Sequence, residues 1–363
     1  IARDPARREI RIFRGSVHLA GFRAMEGGKK MSVTHLEILE RSPYEDGRSF
    51  GEVGPYERID AIAHYAADPV HVANQGIVDL ALAQRDDEGL VRFSGDMTLL
   101  MPRHADRGNR ALIMHVPNRG GRQLSRLNLY PRESPVTAAV EPGDGFLFEH
   151  GWTVGWAAWQ WDVPRSPERV RIGLAAPEVA MTARQPDGRM QLRLQIFRSA
   201  SSLPLTDQHV GPHGDHRLIR SADVNDAGAA LLVRRGPYGQ AQTIPRDRWR
   251  FARAVDGQTV EDDSHIWLEG GFESGLTYDV MYTPLNCPVV GAGLLATRDL
   301  ASHLRYDESA PTAGAINHVI AEGQSQCGRF LRTFLHLGLN NDEAARPVFD
   351  GVLAHIAGGR RGE

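Results

Sequence analysis

Cysteine is scarce in this chain of 363 residues: Cys287 and Cys327 are the only two, and they stand far apart. Two isolated thiols exclude a disulfide scaffold and lack the paired spacing of a structural zinc site. Long apolar runs are missing too; none approaches the ~18 residues that a membrane-spanning helix needs. There is no P-loop and no Rossmann glycine fingerprint, so no nucleotide cofactor is implied. Excess charge of one sign is absent: the net is −3, which gives no global attraction to nucleic acid or to an anionic membrane. Hydrophobic and charged fractions of 41% and 24% are those of a globular protein. These exclusions leave a small molecule or another protein as the partner, with no cofactor and no metal. No secretory signal is visible, so a cytoplasmic location is the expectation.

Residues 1–30 carry eight Lys/Arg against three Asp/Glu, a basic segment expected to lie outside the fold, with the native start at Met31. From Tyr56 to Pro102, RIDAIAHYA, GIVDLALA, LVRFS and MTLLMP read as antiparallel strands between turn signals. ALIMHV (111–116) is a short continuous apolar run, as in a strand buried on both faces, and it ends in the loop PNRGG. GDGFLFEHG reads as the end of a helix and WTVGWAAW as the next buried strand. That helix-then-strand step belongs to parallel α/β sheets. Between 164 and 285, short alternating stretches such as MQLRLQIF and ALLVRR sit among Pro, Gly and charged turns, which predicts a β-rich insertion. From Val289 helical periodicity returns, with Leu294, Leu295, Leu300 and Leu304 sharing a broad face. The expected organisation is therefore core at 31–163, insertion at 164–285 and core again at 286–363.

Two stretches compete as the setting of a catalytic serine. GRSFG (47–51) fits the letters G-x-S-x-G better than GQSQC around Ser325, yet letters alone are weak. Before Ser325, INHVIAEG predicts a strand. After it, Cys327, Phe330, Leu331, Phe334 and Leu335 fall at helical spacing, with Gly338 as a stop. A serine at a sharp strand-to-helix turn is the arrangement of a nucleophile elbow, and Gly323 and Gly328 supply the small neighbours it needs. Ser49 has polar, turn-forming surroundings and is a decoy. A plain helix N-cap serine is the competing reading of Ser325. An oxyanion hole would use the backbone N–H of Gln326 and donors from the loop at Asn118, Arg119 and Gly120.

Other clusters are weaker. TDQHVGPHGDH (206–216) has metal-binding residue types, but Gly211-Pro212 prevents one helical face of ligands, and a solvated loop is expected. Trp152 and Trp156 read as core, whereas Trp159 and Trp161 at the strand's end are candidates to wall a pocket.

Taken together, GPYERI, NQGIVDLALAQRDDEGLVRFSGDMTLLMP, VPNRGG, GWTVGWAAWQWDV, GFESGLTYDVMY, GLLATRDLASHLRY and GQSQCGRFLRTFLHLGLNNDE with VFDGVLAHIAGGRRG resemble the bacterial α/β-hydrolase-domain family of large serine hydrolases. The resemblance implies an α/β-hydrolase core, a mostly parallel sheet with flanking helices, and a carboxylesterase-like activity through an acyl-enzyme on Ser325 with a small-molecule ester as substrate. Cys327 stands where that family usually has Ser. In this fold the acid and histidine of the triad follow the nucleophile, and only 38 residues follow Ser325. The resemblance thus implies a core incomplete at its C-terminal end, an acid and base beyond Glu363, and impaired activity in this chain. His355, with Asp350 five residues earlier, is a possible pocket residue, and the triad order speaks against it as base. A catalytically inactive hydrolase-like binding or interaction protein is the alternative.

Overall fold

The computed structural model describes residues 32–122, 127–128, 140–164, 170–179, 188–206, 216–236 and 238–359. The basic segment at 1–30 and most of the histidine-rich stretch, 207–215, lie outside the described residues. The first elements are β1 (Ser32–Pro43), β2 (Ser49–Phe50), β3 (Gly54–Ala67), β4 (Val91–Pro102), β5 (Ala111–His115), α1 (Phe146–Glu149), β6 (Thr153–Ala157) and β7 (Leu174–Ala175). A β-rich run follows: β8 (Met190–Gln195), β9 (Ala200–Pro204), β10 (Ala230–Arg235), β11 (Gln242–Ile244), β12 (Trp249–Val255), β13 (Gln258–Phe272) and β14 (Leu276–Tyr282). Then come α2 (Ala292–Tyr306), β15 (His318–Gln324), α3 (Gln326–His336) and β16 (Gly351–His355).

One sheet runs β1-β3-β4-β6-β5-β15-β16, with β2 on β3 and β7 on β4. It is mixed, which corrects the expectation of a mostly parallel sheet. β1, β3, β4 and β6 pair antiparallel, and only β6, β5, β15 and β16 pair parallel. β1 and β3 are joined by a brief segment, as antiparallel neighbours can be, and a longer stretch of tight turns joins β3 to β4, whereas the parallel strands are separated by crossovers. LVRFS and MTLLMP form the single strand β4. GIVDLALA is not a strand: it folds into tight turns with Asp79 at φ 63°, dropping Ile77 and Leu80 into the core while Val78 is exposed. Strands β8 to β14 build two small sheets, β11-β10-β14-β8 and β12-β13-β9, around Leu194, Leu231, Trp249, Phe251 and Tyr282. β7 joins the large sheet although the sequence places it in the insertion.

The crossovers set the position of the site. After β5 the chain passes through α1, whose Leu147 and Phe148 pack with Ile113 and Trp156 on one sheet face. After β15 it passes through α3, whose Phe330, Leu331 and Phe334 pack with Leu112, Met114 and Ala321 on the other. Neighbouring parallel strands whose connections leave on opposite faces open a crevice at their carboxyl ends, where α/β sheets bind ligands. Here that crevice lies between the ends of β5 and β15.

Behind α2 sits a buried polar knot. Arg298 is fully buried and donates to Ala73 O, Asn74 Oδ1 and Asp299 Oδ1, with Glu343 Oε1 3.8 Å away. Asn74 donates onward to Glu343 at 2.6 Å. Two carboxyls thus share one guanidinium, and a buried charge without a full partner is costly. Burial pushes the Glu343 carboxyl up to about 7, against the opposing hydrogen bond from Asn74. Burial likewise raises Asp299, against the attraction of Arg298. Below the carboxyl's unfolded value both states of Glu343 are protonated; above it only the folded state keeps the proton, so stability falls as pH rises toward about 7. Glu343→Gln keeps the acceptor for Asn74 and removes this titration. Urea unfolding at pH 5 and pH 8 should show the wild type losing on the order of 2 kcal/mol relative to E343Q; parallel pH profiles would contradict the assignment.

Candidate functional site

β15 ends at Gln324, α3 begins at Gln326, and Ser325 alone makes the turn, at φ 56° and ψ −112°. This is backbone that an L-residue adopts only when its surroundings impose it, at about 1–3 kcal/mol. Three contacts impose it. Ser325 N–H donates to His355 O at 2.9 Å, which ties the turn to the end of β16. A Cβ on Gly323 would sit 2.7 Å from Cys327 O, and one on Gly328 would sit 2.8 Å from His355 O and 3.0 Å from the Ala357 methyl. Both glycines are therefore required by close approach of strand and helix. Cys327 fills the remaining space as a buried apolar group, and burial first, then the nearby Glu322 charge, pushes its thiol far above the usual range. It is not a reactive thiol.

The hydroxyl of Ser325 makes no capping bond to α3 and no hydrogen bond among the described residues. The side chain is half-buried. An N-cap serine has extended backbone and spends its oxygen on the N–H two or three residues on; Ser325 does neither. Ser49 lies in β2, exposed, paired in a tight hairpin with Pro55, and no α-helix follows it. Of the predicted helical face, Cys327, Phe330, Leu331 and Phe334 are buried while Leu335 is 44% exposed.

On the other lip of the crevice, the loop after β5 is fastened at nearly every residue. Trp159 Nε1 donates to Pro117 O at 2.7 Å, and the Trp159 ring packs on Phe330 of α3 at 4.6 Å. Trp159 thus joins this loop to α3, while Trp156 is core, Trp152 packs beside it and Trp161 is half-buried. Asn118 is half-buried and its carbonyl accepts from Gly121 N–H. Arg119, at φ 50°, buries its side chain against Asp162 at 2.7 Å, its carbonyl accepts from Arg171, and its N–H donates to Gln160 Oε1 at 2.6 Å. Gly120 O accepts from Ile172 N–H. The Arg119 amide predicted for an oxyanion is therefore already committed. Gln326 sits in the first turn of α3, where its N–H has no intrahelical acceptor.

His355 joins the site through its main chain. Its side chain is exposed, and Asp350 stands at the opposite end of β16, where despite some burial the Val319 N–H and Arg305 hold its carboxyl below the ordinary carboxylate range. Five strand residues separate the two by about 16 Å, so they are no acid–base pair.

Two features escaped the sequence. Gln160, 6% exposed, links the loops: besides accepting from Arg119 it donates from Nε2 to Gln326 Oε1 at 3.3 Å. His115 Nδ1 pairs with Glu322 below the crevice, in register across β5 and β15. The His and Glu inside otherwise apolar strand runs, ALIMHV and VIAEG, were the available signal for the second; a glutamine in a loop carries none.

Residues 270–363 match the alpha/beta hydrolase domain family. The match covers α2, β15, the Ser325 turn, α3 and β16, the parallel part of the sheet beyond β5. No curated protein and no solved structure matches the chain.

The strain at Ser325 is measurable. Ser325→Ala should lose none of the ~1 kcal/mol that removal of an N-cap costs, and Ser325→Gly should gain about 1 kcal/mol as the backbone relaxes, net of glycine's entropy. Urea midpoints of the three proteins decide it; a destabilised Ala variant with no gain for Gly would restore the cap reading.

Proposed function

We propose that this protein is a serine hydrolase acting on small-molecule esters, with Ser325 as nucleophile. The single observation carrying this reading is the Ser325 backbone at φ 56°, ψ −112° with an uncapped hydroxyl, at the carboxyl edge where β5 and β15 send their connections to opposite faces. Strain of this kind persists where function requires a side chain to be presented. The alpha/beta hydrolase domain match over 270–363 supports the hydrolase class.

In the proposed reaction Ser325 Oγ bonds to the ester carbonyl carbon while its proton passes to a general base, a histidine by class. The carbonyl π pair moves onto oxygen, the alcohol leaves with a proton as the C–O bond breaks, and water then releases the acid from the acyl-enzyme by the same steps. Negative charge on the carbonyl oxygen is met by the Gln326 N–H, reinforced by the aligned peptide dipoles of α3. Among the described residues no histidine bonds the Ser325 hydroxyl, so the base is not assigned to one of them.

A fluorophosphonate probe tests the nucleophile, because it reacts with an activated serine and leaves a stable adduct. In protein that carries the acid and histidine of the triad, peptide mapping should place the adduct on Ser325, with Ser325→Ala unlabelled and its hydrolysis of p-nitrophenyl acetate at the buffer rate. In protein that carries the acid and histidine of the triad, an unlabelled wild type, or equal labelling of the Ala variant, would end the serine-hydrolase reading.

A further inference from the structure

We infer that the side-chain amide of Gln160 is a catalytic residue: its Nε2–H is the second oxyanion donor, in place of a backbone amide of the loop after β5. The inference rests on Ser325 being the nucleophile. Its starting point is the commitment of Arg119 N–H, which donates to Gln160 Oε1 at 2.6 Å. That amide cannot serve an oxyanion without breaking a short bond in a place where Gln160 is 6% exposed and water cannot readily replace it.

The same bond fixes which way the glutamine amide points. A backbone N–H must face the oxygen, so the NH2 group faces the other side, where its acceptor among the described residues is Gln326 Oε1, beside the Ser325 turn, at 3.3 Å. That is the long end of the hydrogen-bond range, and an amide NH2 has two hydrogens to give. A buried donor with spare capacity, oriented in advance and placed against the residue that follows the nucleophile, meets the requirement for transition-state stabilisation: it need not reorganise when charge appears. The second bond holding this orientation comes from the neighbouring residue. Trp159 is tied to Pro117 O and stacked on Phe330, and its carbonyl lies so near Gly293 that a Cβ there would come within 2.1 Å. The segment carrying Gln160 is thus gripped by the β5 loop, α2 and α3 at once. Side-chain amides are established alternatives to backbone N–H groups in oxyanion holes, and loss of one donor costs roughly 10²- to 10³-fold in rate.

Two substitutions separate donation from mere positioning. Gln160→Glu keeps an oxygen for Arg119 N–H but has no hydrogen to give, whereas Gln160→Met removes both. The readout is the rate at which the fluorophosphonate labels Ser325, whose phosphonyl oxygen occupies the oxyanion position as fluoride leaves and the hydroxyl proton passes to the general base; thermal midpoints are measured alongside. Both variants should label about 10²-fold more slowly or worse. Wild-type labelling in Q160E, with slow labelling only in Q160M, overturns the inference, since the acceptor alone would then matter. A second measurement is independent of how the variants fold. In the phosphonylated wild type the Gln160 side-chain NH2 resonance, assigned by its loss in Q160M, should move downfield; an unmoved resonance also overturns it. Failure of the underlying reading looks different, because then the wild-type serine is not labelled at all.

Discussion

The strained peptide at Ser325 depends on one close approach, that of α3 to the ends of β15 and β16. The two glycines Gly323 and Gly328 remove the atoms that would hold helix and strands apart, and the Ser325 N–H to His355 O bond closes the gap on the side of β16. With the helix this near, a single residue must carry the chain from strand to helix, and a single residue can do so only outside the ordinary regions of backbone space. Strain at the serine is therefore the local consequence of tight packing elsewhere. The core supplies the force: Phe330, Leu331 and Phe334 are buried against Leu112, Met114 and Ala321, and each large apolar side chain so buried contributes about 1.5–3 kcal/mol. Three such side chains outweigh one strained residue several times over.

The same packing explains why the hydroxyl is free. A serine with extended backbone at a helix start turns its oxygen back on the first N–H groups. At φ 56° and ψ −112° the hydroxyl makes no capping bond to them, and the adjacent Gln326 N–H lies in the first turn of α3. One geometric fact thus accounts both for an uncapped hydroxyl and for a first-turn N–H with no intrahelical acceptor.

Much of this was legible in the residues, for a reason that also marks where legibility ends. Period-3.6 spacing of Cys327, Phe330, Leu331 and Phe334 is a statement about one element, and the structure agrees with it; ALIMHV, WTVGWAAW and INHVIAEG likewise hold short strands. GIVDLALA failed because its apolar content is as suitable for two tight turns over a core as for a strand, and the left-handed Asp79 that decides between them leaves no mark in composition. The parallel majority expected of the sheet failed similarly, since pairing direction depends on partners remote in the chain. His355 and Asp350 looked close in sequence, but strand geometry sends five residues along about 16 Å. Leu335 lies on the predicted face yet remains 44% exposed, because the buried stripe of α3 is narrower than the apolar one.

The loop after β5 shows the limit most sharply. Glycines after a buried strand promise backbone amides that face a ligand, which points to Asn118, Arg119 and Gly120. What the loop's composition does not encode is who takes those amides first. Arg119 N–H goes to Gln160, 41 residues away, and the Arg119 side chain and carbonyl go to Asp162 and Arg171. Among the described residues the Arg119 N–H, carbonyl and one guanidinium nitrogen are all bonded, which holds the loop in place. The loop after β5 thus acts as a frame, with Arg119 N–H on Gln160 and Pro117 O on Trp159. Counting which donors remain available, rather than which glycines are present, is the physical test of such a loop, because a hydrogen bond already made at 2.6 Å between two buried residues has no reason to be given up.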